Sequence, residues 1–330
     1  MDYGQSIKRA AQITWRYKFL WIFGIIMALC GQSSGGNPRF QMNYSTPYDP
    51  TTGFPEFPAY FPEPLGQMPI AVYIVAGLII LVIFGLISIL VGALGRSALI
   101  KSVARVEDGE TISFGSSWRD GLNKVVPVGI LQTLLAIPWL ALWLVVAAIV
   151  FTTFWPFFSQ IFSYRPGPES QEPPPFLQDF FAFFPMFFAA ICGMICFFWI
   201  IQMIMGLFRT FGSRAIVLED QGILGSFSRS WVLFRKNIGA TVILALLIFV
   251  IARVVGIIVA MPTMVMMVPI MFSIMPEIMS GGGLSTGSIL LMGCAGIVTV
   301  ILFSLVNGVL QVFIESLWTL AYREFATKIS

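Results

Sequence analysis

Long runs of apolar residues, separated by shorter polar segments, make up most of the chain. Each run predicts a membrane-spanning helix, because a helix needs about 20 consecutive apolar residues to cross a bilayer. The runs cover residues 18–31, 69–95, 125–155, 180–208, 238–261 and 288–320. We therefore predict an all-α fold, a polytopic membrane protein with a six-transmembrane-helix bundle that consists of three helical hairpins.

Segments that contain several prolines separate the two helices of each predicted hairpin, and the first two of them are also rich in aromatic residues. They predict outer loops over residues 32–68, 156–179 and 262–287. The third loop starts in an apolar stretch that contains Pro262, Pro269 and Pro276. Because proline removes backbone hydrogen bonds that lipid requires, we interpret residues 261–279 as a re-entrant or interfacial segment.

The composition changes this picture only by excluding other classes of protein. Hydrophobic residues make up 57% of the chain and charged residues 11%, against about 25% charged in a soluble domain. The net charge of +3 is small and the basic residues form no single patch, which argues against nucleic-acid binding. The chain has no histidine, the commonest metal ligand and general base. We therefore expect no enzymatic activity, no cofactor and no metal site.

The lysine and arginine residues predict the orientation. The N-terminal segment, the C-terminus and two alternate connections hold sixteen of them, and the predicted outer loops hold only Arg39 and Arg165. Short loops rich in Lys and Arg stay on the cytoplasmic side. The sequence thus predicts a multi-pass protein of the plasma membrane, a bacterial inner membrane, with both termini cytoplasmic.

The two long inner connections carry the same motif, G-x-x-x-S-F-x-x-S-W. The first copy consists of Gly109, Ser113, Phe114, Ser117 and Trp118, and the second copy consists of Gly222, Ser226, Phe227, Ser230 and Trp231. The copies are 113 residues apart, and the same offset aligns Arg96 with Arg209. We call residues 109–118 the first elbow and residues 222–231 the second elbow.

The residue types of the elbow predict its structure. Glycine ends the preceding helix, serine can cap the next one, and Phe and Trp four positions apart share a helix face. With Arg235 and Lys236 close by, that face can lie among lipid headgroups. The motif is either an architectural joint repeated by duplication or a site that recognises lipid or a protein partner.

The repeat predicts how the chain is divided. Units 1–105, 106–218 and 219–330 would each contain an interfacial amphipathic helix, an outward helix, an outer loop and a return helix. The first unit depends on a weaker match, in which Thr14 and Trp15 precede Lys18 and the first apolar run. The two clear copies have the same orientation, unlike the inverted repeats of many carriers.

The opening Ile7-Lys-Arg-Ala, the segment Thr14-Trp-Arg-Tyr-Lys-Phe-Leu-Trp21 and the second elbow resemble a broad group of uncharacterised bacterial membrane proteins. These are similar to the membrane domain that accompanies some glycerophosphoryl diester phosphodiesterases. The resemblance implies a six-helix module embedded in lipid. It does not imply phosphodiesterase activity, because that catalytic domain is a separate barrel that uses histidine.

Polar side chains within the apolar runs are the remaining candidates for function, since charges at membrane depth are costly. Asn307, Gln311 and Glu315 follow at four-residue intervals on the last predicted helix, so they share one face that should point into the bundle. Arg253 is expected to meet Asn307 or Gln311. Gln132 and Gln202 could join this set. Asn307, Gln311 and Glu315 form a polar stripe, which either joins helices through hydrogen bonds or is part of a path for a solute or a proton.

The sequence leaves two functions open. The first is an accessory membrane protein that interacts with membrane lipids, with a possible protein partner or homo-oligomer, and the elbows favour it. The alternative is a small-solute transporter or permease that uses the polar stripe of the sixth helix.

Overall fold

Helices form almost the whole of the chain that the structure describes. The structure is a computed structural model that describes residues 2–30, 70–163, 175–279 and 285–328. Within these ranges there is no β-strand. The helices are α1 (Tyr3–Arg16), α2 (Leu20–Leu29), α3 (Ile70–Glu107), α4 (Phe114–Ser163), α5 (Pro175–Leu218), α6 (Ile223–Lys236), α7 (Ile238–Met279) and α8 (Thr286–Thr327).

Five of the described helices are long and apolar enough to cross a membrane, by length and composition. The spans are Val75–Glu107, Phe114–Thr152, Ile191–Leu218, Ile238–Pro276 and Thr286–Thr327. Their outward side chains are apolar, and Leu81 and Phe84 are 68% and 70% exposed. Such a surface is stable against hydrocarbon and not against water. The chain is therefore a multi-pass membrane protein, and α2, with 10 residues, is a shorter apolar helix.

The helices extend beyond the apolar runs that predicted them. The predicted loop 262–287 is wrong over most of its length, because α7 continues through Pro262, Pro269 and Pro276 to Met279. Prolines seven residues apart remove single backbone hydrogen bonds, and the other bonds of the helix remain. The loop 156–179 is shorter than predicted, because α4 reaches Ser163 and α5 starts at Pro175. The loop 32–68 lies outside the described residues.

The described residues divide into two compact units. The first is formed within Met1–Val125 and Gly239–Leu320, and the second within Val126–Ile238 and Ala321–Ser330. In the first unit α2 packs against α3, and in the second α5 packs against α6. The three repeat units predicted from the sequence stay a prediction.

Glycines bring α2 very close to two spanning helices of the first unit. A methyl group at Gly24 would lie 2.1 Å from the carbonyl oxygen of Gly308, and one at Gly95 would lie 3.0 Å from that of Phe23. Small residues at membrane helix crossings allow this approach, and packing then stabilises the contact. Phe23, Met27 and Val312 are fully buried beside the crossing.

We predict that Gly308→Ala destabilises the protein by about 1–3 kcal/mol, since the added methyl would lie 2.8 Å from the backbone nitrogen of Ile25. Gly296→Ala, on the same helix, is the matched control because nothing lies within 4 Å of its added methyl. Thermal unfolding in one detergent measures both. A melting temperature lowered equally by the two changes would contradict the tight crossing.

Candidate functional site

The first elbow joins α3 to α4 through two capped helix ends. Gly109 adopts a left-handed φ of +80°, and the backbone N–H of Glu110 donates to the carbonyl of Arg105 at 2.9 Å, which is the glycine-terminated C-cap that the motif predicts. The Ser113 hydroxyl accepts from the backbone N–H of Ser116 at 3.3 Å. Serine thus caps α4 as expected.

The helix that follows the first elbow packs on α3 through small residues and turns its rings outward. The hydroxyl of Ser102 donates to that of the buried Ser117 at 2.7 Å. Phe114 and Trp118 have ring centroids 5.9 Å apart, and Phe23 of α2 stacks on Phe114 at 5.3 Å. Both elbow rings stay about two-fifths exposed. Their place at the end of a spanning helix is typical of the membrane interface.

Acidic residues pair with two arginines close to the first elbow. Arg105 donates to Glu110 at 2.5 Å and to Asp120 at 2.9 Å. Arg9 of α1 lies 2.7 Å from Glu107. These pairs neutralise Arg105 and Arg9 and connect the end of α3 to α1 and to the first turns of α4.

The second elbow has the same residues but a different register. Gly222 is the N-cap of α6 with an extended backbone, and it makes no side-chain capping bond. Asp220, and not a glycine, adopts the left-handed conformation with φ 52°. The capping role predicted for Ser226 is therefore wrong. Because α6 starts at Ile223, Ser226 lies inside the helix and its hydroxyl donates to the Ile223 carbonyl at 2.6 Å.

The rings of the second elbow form a cluster on α5. Phe208 has its ring centroid 5.8 Å from that of Phe227 and 6.2 Å from that of Trp231. Ser230 is buried, and its hydroxyl donates to the Ser226 carbonyl. Trp231 is half exposed, and Arg235 and Lys236 are exposed in the last turn of α6. Ser230 lies beside Gly212 of α5, since a methyl group there would lie 3.5 Å from the Ser230 hydroxyl, whereas Arg235 and Lys236 stay exposed.

A hydrogen-bonded carboxylate holds α6 to the end of α5 in the second unit. Glu219 accepts from Arg229 Nε at 3.0 Å and from Arg229 Nη2 at 3.2 Å, and the Tyr322 hydroxyl donates to it at 2.7 Å. The hydrogen bonds to Glu219 raise the pKa of Arg229. Sequence reasoning missed this network, although an acidic residue next to each elbow was a usable signal.

A buried ion pair lies in the first unit. Arg96 Nε is 3.2 Å from Glu315 Oε1, and their side chains are 1% and 2% exposed. Gln311, Ser316 and Thr319 are buried around the same turns of α8. Glu315 was a candidate from the sequence, and Arg96 was noted only through the repeat. The structure therefore pairs Glu315 with an arginine of α3.

The contacts described for the other polar candidates do not involve this pair. Arg253 is exposed, and its guanidinium lies 4.9 Å from the ring centroid of Phe249 on its own helix. Asn307 donates from Nδ2 to the Phe303 carbonyl at 2.9 Å, also within its helix. Gln132 is buried and Gln202 exposed. These contacts give no support to the expected pairing of Arg253 with Asn307 or Gln311.

The two arginines that the repeat aligns differ in burial. The offset of 113 residues aligns Arg96 with Arg209, but the fully buried arginine of the second unit is Arg214. Its Nη1 donates to the Thr210 carbonyl at 2.6 Å.

For metals, the part of the chain that is described brings no three His, Cys, Asp or Glu side chains together.

We predict that Glu315→Gln destabilises the protein by about 3–5 kcal/mol, because it leaves the buried charge of Arg96 without its carboxylate. The matched control is Glu107→Gln, which breaks the more exposed pair with Arg9 and should cost about 1 kcal/mol or less. Thermal unfolding of the detergent-solubilised protein measures both changes in stability. Equal shifts would show that burial adds nothing to the Arg96–Glu315 pair.

We also predict that Tyr322→Phe costs about 1.5 kcal/mol, the usual contribution of a hydrogen bond to a charged group. The control is Tyr17→Phe, since no hydrogen bond of the Tyr17 hydroxyl is described. Unfolding temperatures compare the two. Loss of stability in the control alone would rule out a contribution from the bond to Glu219.

Comparisons with known proteins give a family but no activity. No curated protein and no solved structure matches the chain significantly. Nothing links it to the membrane domain of the glycerophosphoryl diester phosphodiesterases that its sequence resembles. One family model matches residues 13–321. The chain belongs to this family, described as a family of unknown function (DUF7544).

Proposed function

We propose that the protein is an accessory membrane protein that binds anionic lipid at its elbows, with six membrane spans and both termini in the cytoplasm. The sixth span would include α2, whose 10 residues cover only about 15 Å of the roughly 30 Å hydrocarbon core. The tight crossing of α2 with α8 supports a place for it among the spans.

The cationic end of α6 is the observation that carries the proposal. Arg235 and Lys236 are exposed, and no described carboxylate pairs with either. Arg229 differs from them because Glu219 neutralises it. The half-exposed Trp231 lies one turn before Arg235. An unneutralised basic pair beside an interfacial ring is well suited to an anionic headgroup.

The first elbow supports the same function less strongly. Its rings are placed like those of the second elbow, but Glu110 and Asp120 compensate Arg105. We infer that it anchors the helix at the interface and that the second elbow attracts the charged lipid. This division gives the two copies of the motif different tasks.

The transporter alternative depends on the polar stripe of α8. A path for a solute would need Gln311 and Glu315 to reach water, whereas both are buried and Glu315 is paired with Arg96. A buried ion pair between α3 and α8 is better suited to joining helices than to exchanging a substrate. We therefore favour lipid binding.

We predict that Arg235→Ala combined with Lys236→Ala weakens the binding of phosphatidylglycerol about 30-fold. Each basic residue near an anionic surface contributes about 1 kcal/mol, and 1.4 kcal/mol corresponds to a factor of ten. Native mass spectrometry of the protein from nanodiscs with equal phosphatidylglycerol and phosphatidylcholine measures the retained lipid, and it also reports subunit number and partners.

The matched control exchanges the two residues, Arg235→Lys with Lys236→Arg, and keeps the charge. It should retain phosphatidylglycerol like the unchanged protein. Equal retention of both lipids by the unchanged protein, or an unaltered ratio in the alanine variant, would overturn the proposed function.

A further inference from the structure

An open apolar groove lies within the second unit, beside the second elbow. Its volume is about 340 Å³. The lining side chains come from α4, α5 and the first turns of α6, and they include Leu134, Ile137, Pro138, Met205, Phe208 and Phe227. All of these side chains are apolar. The groove can therefore hold a hydrocarbon chain and offers no side-chain partner to a polar ligand.

Packed rings form the α5–α6 side of the groove. Phe208 stacks on Trp231 at an interplanar angle of 10° and also contacts Phe227, so the aromatic wall is fixed by three rings. One turn after Phe208, α5 approaches α4 closely, since a methyl group at Gly212 would lie 3.1 Å from Leu131. The packed aromatic side therefore loses little conformational freedom when a chain enters the groove.

The groove is formed largely by residues of two candidate membrane spans. Its α4 and α5 residues belong to the spans Phe114–Thr152 and Ile191–Leu218. Phe208 lies ten residues before the end of α5 at Leu218, which is about 15 Å along the helix axis. Phe227 places the other side of the groove at the elbow, so the groove starts near the headgroups and continues into hydrocarbon.

Hydrocarbon alone cannot select the occupant. An acyl chain that leaves the bilayer for the groove exchanges one apolar environment for another, so little hydrophobic free energy is gained. Selection must come from the headgroup. Arg235 and Lys236 lie on α6 eight and nine residues after Phe227, about 12–14 Å along the helix, within reach of a glycerophospholipid whose chain enters the groove.

We propose that the second unit binds one anionic glycerophospholipid, with an acyl chain in this groove and the phosphate at Arg235 and Lys236. The inference rests on the proposed function and adds to it a defined chain site. A specific bound lipid differs from a diffuse layer of anionic lipid around the elbow. The diffuse layer would contact the same two cations, but acyl chains of any lipid would occupy the groove.

A photoreactive lipid tests the chain site directly. Phosphatidylglycerol with a diazirine in one acyl chain is added to nanodiscs that contain the full chain, and the labelled positions are mapped by mass spectrometry after illumination. We expect labelling to concentrate on residues 134–138 and 205–208, about tenfold above the labelling by the matching phosphatidylcholine. Labels spread evenly over the exposed faces of α3 and α7 would overturn the inference.

Filling the groove provides a second, independent test. Met205→Trp adds a large ring to the groove, and we expect it to lower labelling of residues 134–138 about tenfold. The matched control is Met203→Trp, two residues away on α5, because Met203 is 53% exposed and lies outside the groove lining. Equal labelling in the two variants would overturn the inference, and the labelling pattern of the unchanged protein tests it even if Met205→Trp fails to fold.

The two proposals fail in different ways. If alanine at positions 235 and 236 lowers phosphatidylglycerol retention but the groove is never labelled, the elbow function stands and the chain site is overturned. If both photoreactive lipids label the groove equally and retention shows no preference, both are overturned.

Discussion

The close backbone contact of α2 with α3 and α8 is the constraint on which the first unit depends. Gly24 meets Gly308 with no room for a side chain, and Gly95 lies against Phe23. Arg96 immediately follows Gly95, and Glu315 lies seven residues after Gly308. The glycine crossing thus sets the separation at which the buried ion pair forms, and the buried pair in turn makes any separation of α3 from α8 costly.

The two elbows share one motif but differ in their surroundings. Each places a buried serine against the preceding helix, Ser117 beside Ser102 and Ser230 beside Gly212, and each keeps its tryptophan partly exposed. At the first elbow Glu110 and Asp120 neutralise Arg105, whereas the second elbow is followed by the exposed Arg235 and Lys236 and lies beside an apolar groove. The difference in function that we propose therefore comes from nearby charges and from packing, and the shared motif explains only the geometry of the turn.

Much of the fold was predictable because lipid imposes simple rules. Apolar runs indicated the long helices, and Gly109 and Ser113 indicated the caps of the first elbow. The prolines of α7 misled the prediction, since a helix interior tolerates isolated losses of a hydrogen bond. The prediction that Ser226 caps a helix was wrong, because local residue types do not fix where a helix starts. Here α6 starts at Ile223 and its N-cap is Gly222.

The sequence by itself determined the solvent of the protein, its helical class and the positions of the elbows, because these follow from composition and local spacing. Only the tertiary structure decided that Glu315 pairs with Arg96, that Arg214 and not Arg209 is fully buried, and that Glu219 binds Arg229 and Tyr322. The Arg96–Glu315 and Glu219–Tyr322 contacts join residues far apart in the chain. Periodicity shows which face of a helix is polar, but it cannot show which residue of another helix meets that face.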